Sequence, residues 1–402
     1  MGKPKIRFEG YSEDWEQRKL DDVLKRRIEQ RQQSEEYPRL AFASGQGVIP
    51  LSERKTNNRE QLTKDEYTKK YLVTELNDIV YNPANVKYGA IDRNKCGRGV
   101  ISPIYVTFTT NEVPGFIERI VTSHDFQQRA LRFEEGTVTK RQSVNPEDLV
   151  TLDILVAPKR EEQQKIATYF DALDHLITLH QRKYDETKTL KKYMLQKMFP
   201  QNGEKVLEIR FDGFTEDWEQ RKLGDNIVEY TEKTTENNQY PVLTSSRKGI
   251  FFQTDYYDGN QIASADNTGY NIVPYGYFTY RHMSDDEIFH FNINDIAENG
   301  IVSTLYPVFT TDENLDSRYL QYQLNYGREF ARYAILQKQG GSRTYMYLNK
   351  LRNLYLTVPT AIEEQKKISE YFTNLDHLIT LHQRKCNELK EIKKYMLQNM
   401  FV

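Results

Sequence analysis

Residues 161–199 read EEQQKIATYFDALDHLITLHQRKYDETKTLKKYMLQKMF, and residues 363–401 read EEQKKISEYFTNLDHLITLHQRKCNELKEIKKYMLQNMF. Of these 39 positions, 28 agree. In the first copy Ile166, Leu173, His180, Thr187 and Met194 recur every seven residues, with Phe170, Ile177, Tyr184 and Lys191 along the neighbouring seam. A period near 3.5 residues is that of a coiled-coil helix. Neither copy contains Gly or Pro. Pro158 and Pro359 stand just ahead of the two copies and Pro200 just behind the first, where they mark helix ends. At 1.5 Å per residue, each copy makes a rod about 58 Å long. Two such rods, with a domain between the end of one and the start of the other, are expected to pair antiparallel. The alternative is that each packs only on its own domain.

Working outward, a second repeat precedes each domain. Residues 7–20, RFEGYSEDWEQRKL, match residues 210–223, RFDGFTEDWEQRKL, at 11 of 14 positions. Repeats decide architecture. The chain therefore divides into a lead motif (1–20), a variable domain (21–155), a long helix (156–200), a second lead motif (201–223), a second variable domain (224–358) and a second long helix (359–402). The two domains keep only an echo of each other. GVISPIYVTFTTNE at 99–112 and GIVSTLYPVFTTDE at 300–313 share seven of 14 positions, including Tyr105/Tyr306, Phe108/Phe309 and Thr110/Thr311. Copies that stay alike are expected to meet the same surface, and copies that diverge to meet different things. Such a chain presents two different targets to one shared frame.

Within the domains, short β-type runs (LVTELNDIVYN, GYFTYRHM, LRNLYLTVP) alternate with helical stretches such as residues 316–335. This predicts an α+β fold with two domains in tandem and an internal pseudo-two-fold repeat. The 402 residues carry 56 basic and 58 acidic side chains, a net charge of -2, which by itself speaks against nucleic-acid binding. The first domain is balanced, and the second has 11 basic and 16 acidic residues. Any DNA surface must then be gathered on loops. Candidate loops carry Arg93, Lys95 and Arg98, then Lys140 and Arg141, in the first domain. In the second they carry Arg247 and Lys248, then Lys338, Arg343 and Tyr345. Glycine beside them lets the backbone approach a ligand, and Arg or Lys reads guanine or neutralises phosphate. An ordinary solvated turn is the competing account of each loop.

Catalytic signatures are missing. There is no GxxxxGK[ST] phosphate loop and no G-x-G-x-x-G opening a helix after a strand. Asn82-Pro83-Ala84-Asn85 matches only half of an amino-methyltransferase Asn-Pro-Pro-Tyr motif and reads as a turn. His175 and His180 recur as His377 and His382, but a spacing of five turns about 140° round a helix, so the rings do not converge on a metal. Cys96 and Cys386 make neither a disulfide framework nor a zinc site. No apolar run reaches the ~20 residues of a membrane span, and no signal peptide is visible. A cytoplasmic location is expected.

The paired RFxGxxEDWEQRKL and EEQxKI…LDHLITLHQRK…KKYMLQxMF motifs, in the order motif–variable–helix and written twice, resemble the specificity subunit of Type I restriction-modification systems. The resemblance covers essentially the whole chain. It implies two target recognition domains that each read half of a bipartite double-stranded DNA site, spaced by an antiparallel coiled coil. It also implies docking of two methyltransferase (M) subunits, to which motor-nuclease (R) subunits add. No cofactor is expected in this chain. S-adenosylmethionine, ATP and Mg would belong to the partners, which would methylate adenine. Trp15 and Arg18, Trp218 and Arg221, and the four helix histidines fall in the repeated blocks and are assigned to partner binding, with anchoring of domain to helix as the rival account of the tryptophans. The rival functional class is a coiled-coil adaptor presenting two protein-binding domains.

Overall fold

The computed structural model describes residues 3–43, 45–54, 69–135, 143–200, 207–260, 262–338 and 343–401. The chain forms two compact units, one of residues 1–181 with 384–402 and the other of residues 182–383. Each unit thus takes about half of each long helix and one variable domain, which cuts across the linear division of the sequence. The long helices run over Arg160–Lys197 and Ile362–Met400.

In the first unit the lead motif becomes strand Glu16–Lys19, which pairs antiparallel with Asp153–Val156, Glu16 opposite Val156. In the second, Glu219–Lys222 pairs with Tyr355–Val358 in the same register, Glu219 opposite Val358. The strand entering each domain is therefore bonded to the strand leaving it. The next residues of each exit strand lead straight into a long helix.

The domains repeat each other more closely than their sequences do. Each has a four-stranded antiparallel sheet, ordered Leu24–Arg27, Val106–Thr110, Ile79–Tyr81, Ile91–Arg93 in the first and Ile227–Glu229, Val308–Thr311, Phe278–Thr279, Asn292–Ile293 in the second. Phe108 stacks on Tyr81 at 6.1 Å, and Phe309 stacks on Phe278 at 4.6 Å. Each has a hairpin, Leu40–Ala43 with Gly47–Pro50 and Leu243–Ser246 with Gly249–Phe252. A Cβ on Gly99 would lie 2.7 Å from Leu40 Cδ1, and one on Gly300 would lie 2.1 Å from Leu243 Cδ1. Both positions need glycine because the same leucine presses on the same backbone. Asn94 and Asn294 are fully buried, and each uses its amide to tie a turn. Asn94 donates to Glu75 O and Gly97 O at 2.9 and 2.8 Å, and Asn294 to Val273 O and Ala297 O at 2.8 and 2.9 Å.

The antiparallel pairing expected of the long helices is visible inside each unit. In the first, Asp174 bonds Lys393 and Gln181 lies 3.5 Å from Cys386, so one number rises as the other falls. Ile166, Phe170 and Leu173 share a core with Met400, and Met396, Leu397 and Phe401 pack against it. In the second unit, Lys191 bonds Asp376 at 2.5 Å and Phe199 packs on Phe372 at 5.7 Å. Asp174–Lys393 and Lys191–Asp376 are the same pair of repeat positions with the partners exchanged.

The repeated wording of the motifs now has a physical cause. Glu162, at the start of the first long helix, takes both edges of the Arg7 guanidinium at 2.6 and 2.8 Å. Glu364 takes Arg210 with the same two distances. Both glutamates are buried, and a carboxylate at a helix N-terminus also meets the positive end of the helix dipole. Gln163 and Gln365 follow. Their carbonyls accept from Val113 N at 3.1 Å and Asp316 N at 2.9 Å, where each domain begins a helix. Their amides donate to Ala157 O and Pro359 O at 2.8 and 3.0 Å. The Glu-Glu-Gln opening of each long helix is a clamp joining lead motif, domain and helix.

Trp15 and Trp218 belong to that clamp. They are 3% and 1% exposed. Trp15 packs edge-on against Phe116 and Phe401 at 5.3 and 5.8 Å, and Trp218 against Tyr319 at 6.1 Å. Their burial favours the anchoring account over partner binding, although Trp15 also borders the groove of the first unit.

Candidate nucleic-acid interface

In the second domain the structure gathers cations that lie far apart in sequence. Arg247 sits on the hairpin turn between Leu243–Ser246 and Gly249–Phe252. Lys338 follows helix Arg328–Leu336, and Arg343 precedes strand Thr344–Tyr345. All three reach the turn Asp285–Glu287. Arg343 donates to Asp285 at 2.8 Å, Arg247 to Asp286 at 2.5 Å, and Lys338 to Glu287. Lys248 is exposed on the Arg247 hairpin.

Beside them lies an aromatic row. Strand Thr344–Tyr345 pairs with Met283–Ser284, and Tyr345 and Tyr347 stack at 5.9 Å with ring planes 11° apart. His282 stacks on Tyr347 at 4.8 Å. Both tyrosines are exposed. A groove of about 230 Å³ adjoins the Arg247 hairpin and is lined by Arg247, Arg281, Tyr256, Tyr257 and His290. His290 is held below the usual histidine value by burial first, then by Arg247. Cations and aromatic faces on neighbouring loops can meet phosphate, base edges and base faces. Arg281 and His282 escaped the sequence reading because GYFTYRHM reads as a plain strand, and Tyr347 because nothing in the sequence sets it beside them. Their significance comes only from the loops packed beside them.

In the first domain the candidate residues part company. Lys140 and Arg141 lie outside the described residues. Arg93 is not a loop side chain. It ends strand Ile91–Arg93, its side chain is only 12% exposed, and carboxylates hold it on two sides, Glu118 at 2.6 Å and Asp171 of the first long helix at 2.7 Å. Its charge is committed to bolting the domain to the helix, which removes it from the DNA-facing set. Lys95 shares Glu118 at 2.6 Å but stays half-exposed. Arg98, also half-exposed, bridges Glu36 and Glu75 at 2.8 and 3.0 Å and lies over the Tyr37 ring. Lys95 and Arg98 remain available to a ligand.

A second kind of site lies along the long helices. In the first unit a groove of about 880 Å³ is lined by Asp174 and Ile177 of one helix and Lys390, Lys393, Lys394, Leu397 and Gln398 of the other. In the second unit a groove of about 500 Å³ is lined by Asp376, Ile379, Lys188, Lys191, Lys192, Leu195 and Gln196. These are the same seven repeat positions, and all seven are identical in the two copies. The copies also agree at most other helix positions, and differ at some, as at Thr187/Leu389 and Thr189/Glu391. Arg18 and Arg221 are turned to local partners, Glu16 with Glu112 and Glu219 with Asn314 O. His175 and His377 are exposed, while His180 and His382 are half-buried on the seam.

Residues 215–391, from the second lead motif through the second domain into the second long helix, match the model of the Type I restriction modification DNA specificity domain. The S subunit of a Type I restriction-modification system from M. genitalium has the same fold as this chain, with a TM-score of 0.58 over 100% of this chain and 99% of that chain at 13% identity. The HsdS subunit from Thermoanaerobacter tengcongensis matches with a TM-score of 0.41 over 98% of each chain at 16% identity. No curated protein sequence matches the chain. Among the described residues no group of His, Cys, Asp and Glu could hold a metal, and no helix is long and apolar enough to cross a membrane.

Proposed function

We propose that this chain is a specificity subunit of a Type I restriction-modification system, which reads one half of a bipartite DNA target with each variable domain and seats one methyltransferase subunit in each of the two helix grooves. The observation that carries the reading is the contrast between grooves and domains. Seven groove positions are identical in both copies, whereas the domains keep a common skeleton under different surfaces. Identical grooves fit two copies of one partner, and different surfaces fit two different base sequences. Each groove presents three lysines beside an Ile and a Leu, so the partner segment suited to it is an acidic, apolar helix face.

In the second domain, Arg247, Lys248, Lys338, Arg343 and Tyr345 form the DNA-facing set. In the first domain Lys95 and Arg98 belong to it. Phosphate contacts would fix the position of the duplex and the loop side chains would read base edges. S-adenosylmethionine, ATP and Mg would be bound by the methyltransferase and motor-nuclease partners, which join this chain to complete the system.

Replacing residues 224–358 by the corresponding domain of another family member, in cells that carry the methyltransferase, tests the reading. Long-read mapping of methylated adenines is expected to show one half of the motif changed and the other intact. A motif altered in both halves, or a continuous one, overturns it.

A further inference from the structure

Three consecutive acidic residues occupy three of the four cations that the second domain offers to DNA. Asp285 holds Arg343, Asp286 holds Arg247, and Glu287 holds Lys338. The turn is itself fixed. Ser284 is 5% exposed, and its hydroxyl donates to Asp286 at 2.8 Å. The Ile288 amide donates to the same carboxylate oxygen at 3.3 Å. Glu287 adopts a left-handed conformation with φ of 61°, uncommon for a residue with a side chain. Arg247 first, then Ser284, hold the Asp286 carboxyl well below the usual carboxylate range, so it stays ionised under working conditions.

Fold stability does not account for this arrangement. The basic partners are about half-exposed, and such solvent-screened pairs add little to fold stability. The location gives the charges their consequence. Carboxylates beside DNA-facing cations repel phosphate and hold each cation in a pair that general backbone contact must break. Resting on the reading of this surface as DNA-facing, we propose that Asp285, Asp286 and Glu287 are specificity-determining residues that suppress sequence-independent phosphate binding by the second domain. Only a duplex whose base edges engage the guanidinium groups compensates for the broken pairs. The net acidic balance of the domain, 11 basic against 16 acidic residues, works in the same direction.

The test uses the full chain in complex with its methyltransferase partner and two duplexes, one bearing the methylated motif and one random. In the isosteric triple variant Asp285→Asn, Asp286→Asn, Glu287→Gln, random-duplex affinity is expected to rise about tenfold or more at low salt. The slope of log K against log salt is expected to steepen by up to about 2.7, because each freed cation that meets a phosphate adds about 0.9. Discrimination between the duplexes falls accordingly. Unchanged or weaker random-duplex binding, or an unchanged slope, overturns the proposal. The single variant Asp285→Asn, expected to steepen the slope by about 0.9, covers the case in which the triple variant folds poorly. The double variant Arg247→Ala, Arg343→Ala separates the two readings. If it weakens DNA binding while the acidic-turn variants change nothing, only the acidic turn is misassigned. If it too leaves DNA binding unchanged, the DNA-facing assignment of the surface fails with it.

Discussion

The long helices agree at 28 of 39 positions, while the best-matching stretch of the variable domains agrees at seven of 14. Their structures differ much less than this. Both domains press a leucine on a glycine (Leu40 on Gly99, Leu243 on Gly300), bury an asparagine under a turn and bond the strand that enters to the strand that leaves. Divergence has spared the residues that shape the backbone and changed those that face outward. In the helices it has spared the outward-facing groove as well.

The comparison breaks most severely at the clamp, which both copies share. Glu364 is buried and satisfies both edges of Arg210. Removing one member of a buried pair leaves the other charge stranded, at a cost of about 3–5 kcal/mol. Glu364→Ala is therefore expected to lower the unfolding midpoint of the chain sharply, and Glu162→Ala to do the same through Arg7. Neither should change the methylated sequence in whatever fraction stays folded. A new motif in either variant would show that the clamp also takes part in reading DNA.

Next in size is a difference between the copies. Arg343 belongs to the second domain alone, and a guanidinium on a base edge contributes about 1–3 kcal/mol of discrimination. Arg343→Ala should relax or weaken one half of the motif and leave the other half as it was. Methylation mapping of the variant checks this position by position.

The grooves should respond alike, because seven helix positions of their lining are shared. Lys192→Glu and Lys394→Glu place a carboxylate where an acidic partner face is expected. Each should weaken the binding of one partner copy by about tenfold, or 1.4 kcal/mol. Native mass spectrometry should then show one methyltransferase subunit retained in either single variant and neither in the double. Loss of both copies from one substitution would sharpen the comparison differently, by showing that the two seats are coupled.

Much of this frame was legible in the sequence. The heptad seam, the prolines at its ends and the double lead motif gave the helices, their direction and the two-domain order, because such signals are local and periodic. The tryptophans were harder, since a repeated Trp can be either a core anchor or a partner contact and only burial decides. Arg93 looked like a loop cation because its partners, Glu118 and Asp171, lie 25 and 78 residues further along. The acidic turn stayed hidden for the same reason. Asp285, Asp286 and Glu287 read as a solvated run until folding brings Arg247 and Arg343 to them. The grooves were present in the sequence as conserved lysines, but their outward direction needed the helix pairing.

The smallest expected effect separates the two exchanged ion pairs. Asp174 accepts from Lys393 and also from Arg119, at 2.9 Å, whereas Asp376 has Lys191 and the neutral hydroxyl of Tyr322 at 2.8 Å. Burial pushes the Asp174 carboxyl up, but Lys393 and Arg119 together outweigh it and hold the group below the usual carboxylate value. A carboxyl lowered on folding stabilises the protein above its unfolded value, and that contribution is lost as the pH falls through the folded value. The window therefore lies below about pH 4. Asp174→Asn should cost about 1 kcal/mol at neutral pH, since the site is partly exposed and the net gain of a charged hydrogen bond is modest. It should also flatten the loss of stability on acidification below that pH. Asp376→Asn, which removes a carboxylate facing one cation instead of two, should cost less. Denaturant unfolding of both variants at neutral pH and at two points below pH 4 measures the difference. If Asp376→Asn proved the more costly, or if Asp174→Asn left the acid limb unchanged, the second cation at Asp174 would contribute nothing and the two pairs would be energetically the same.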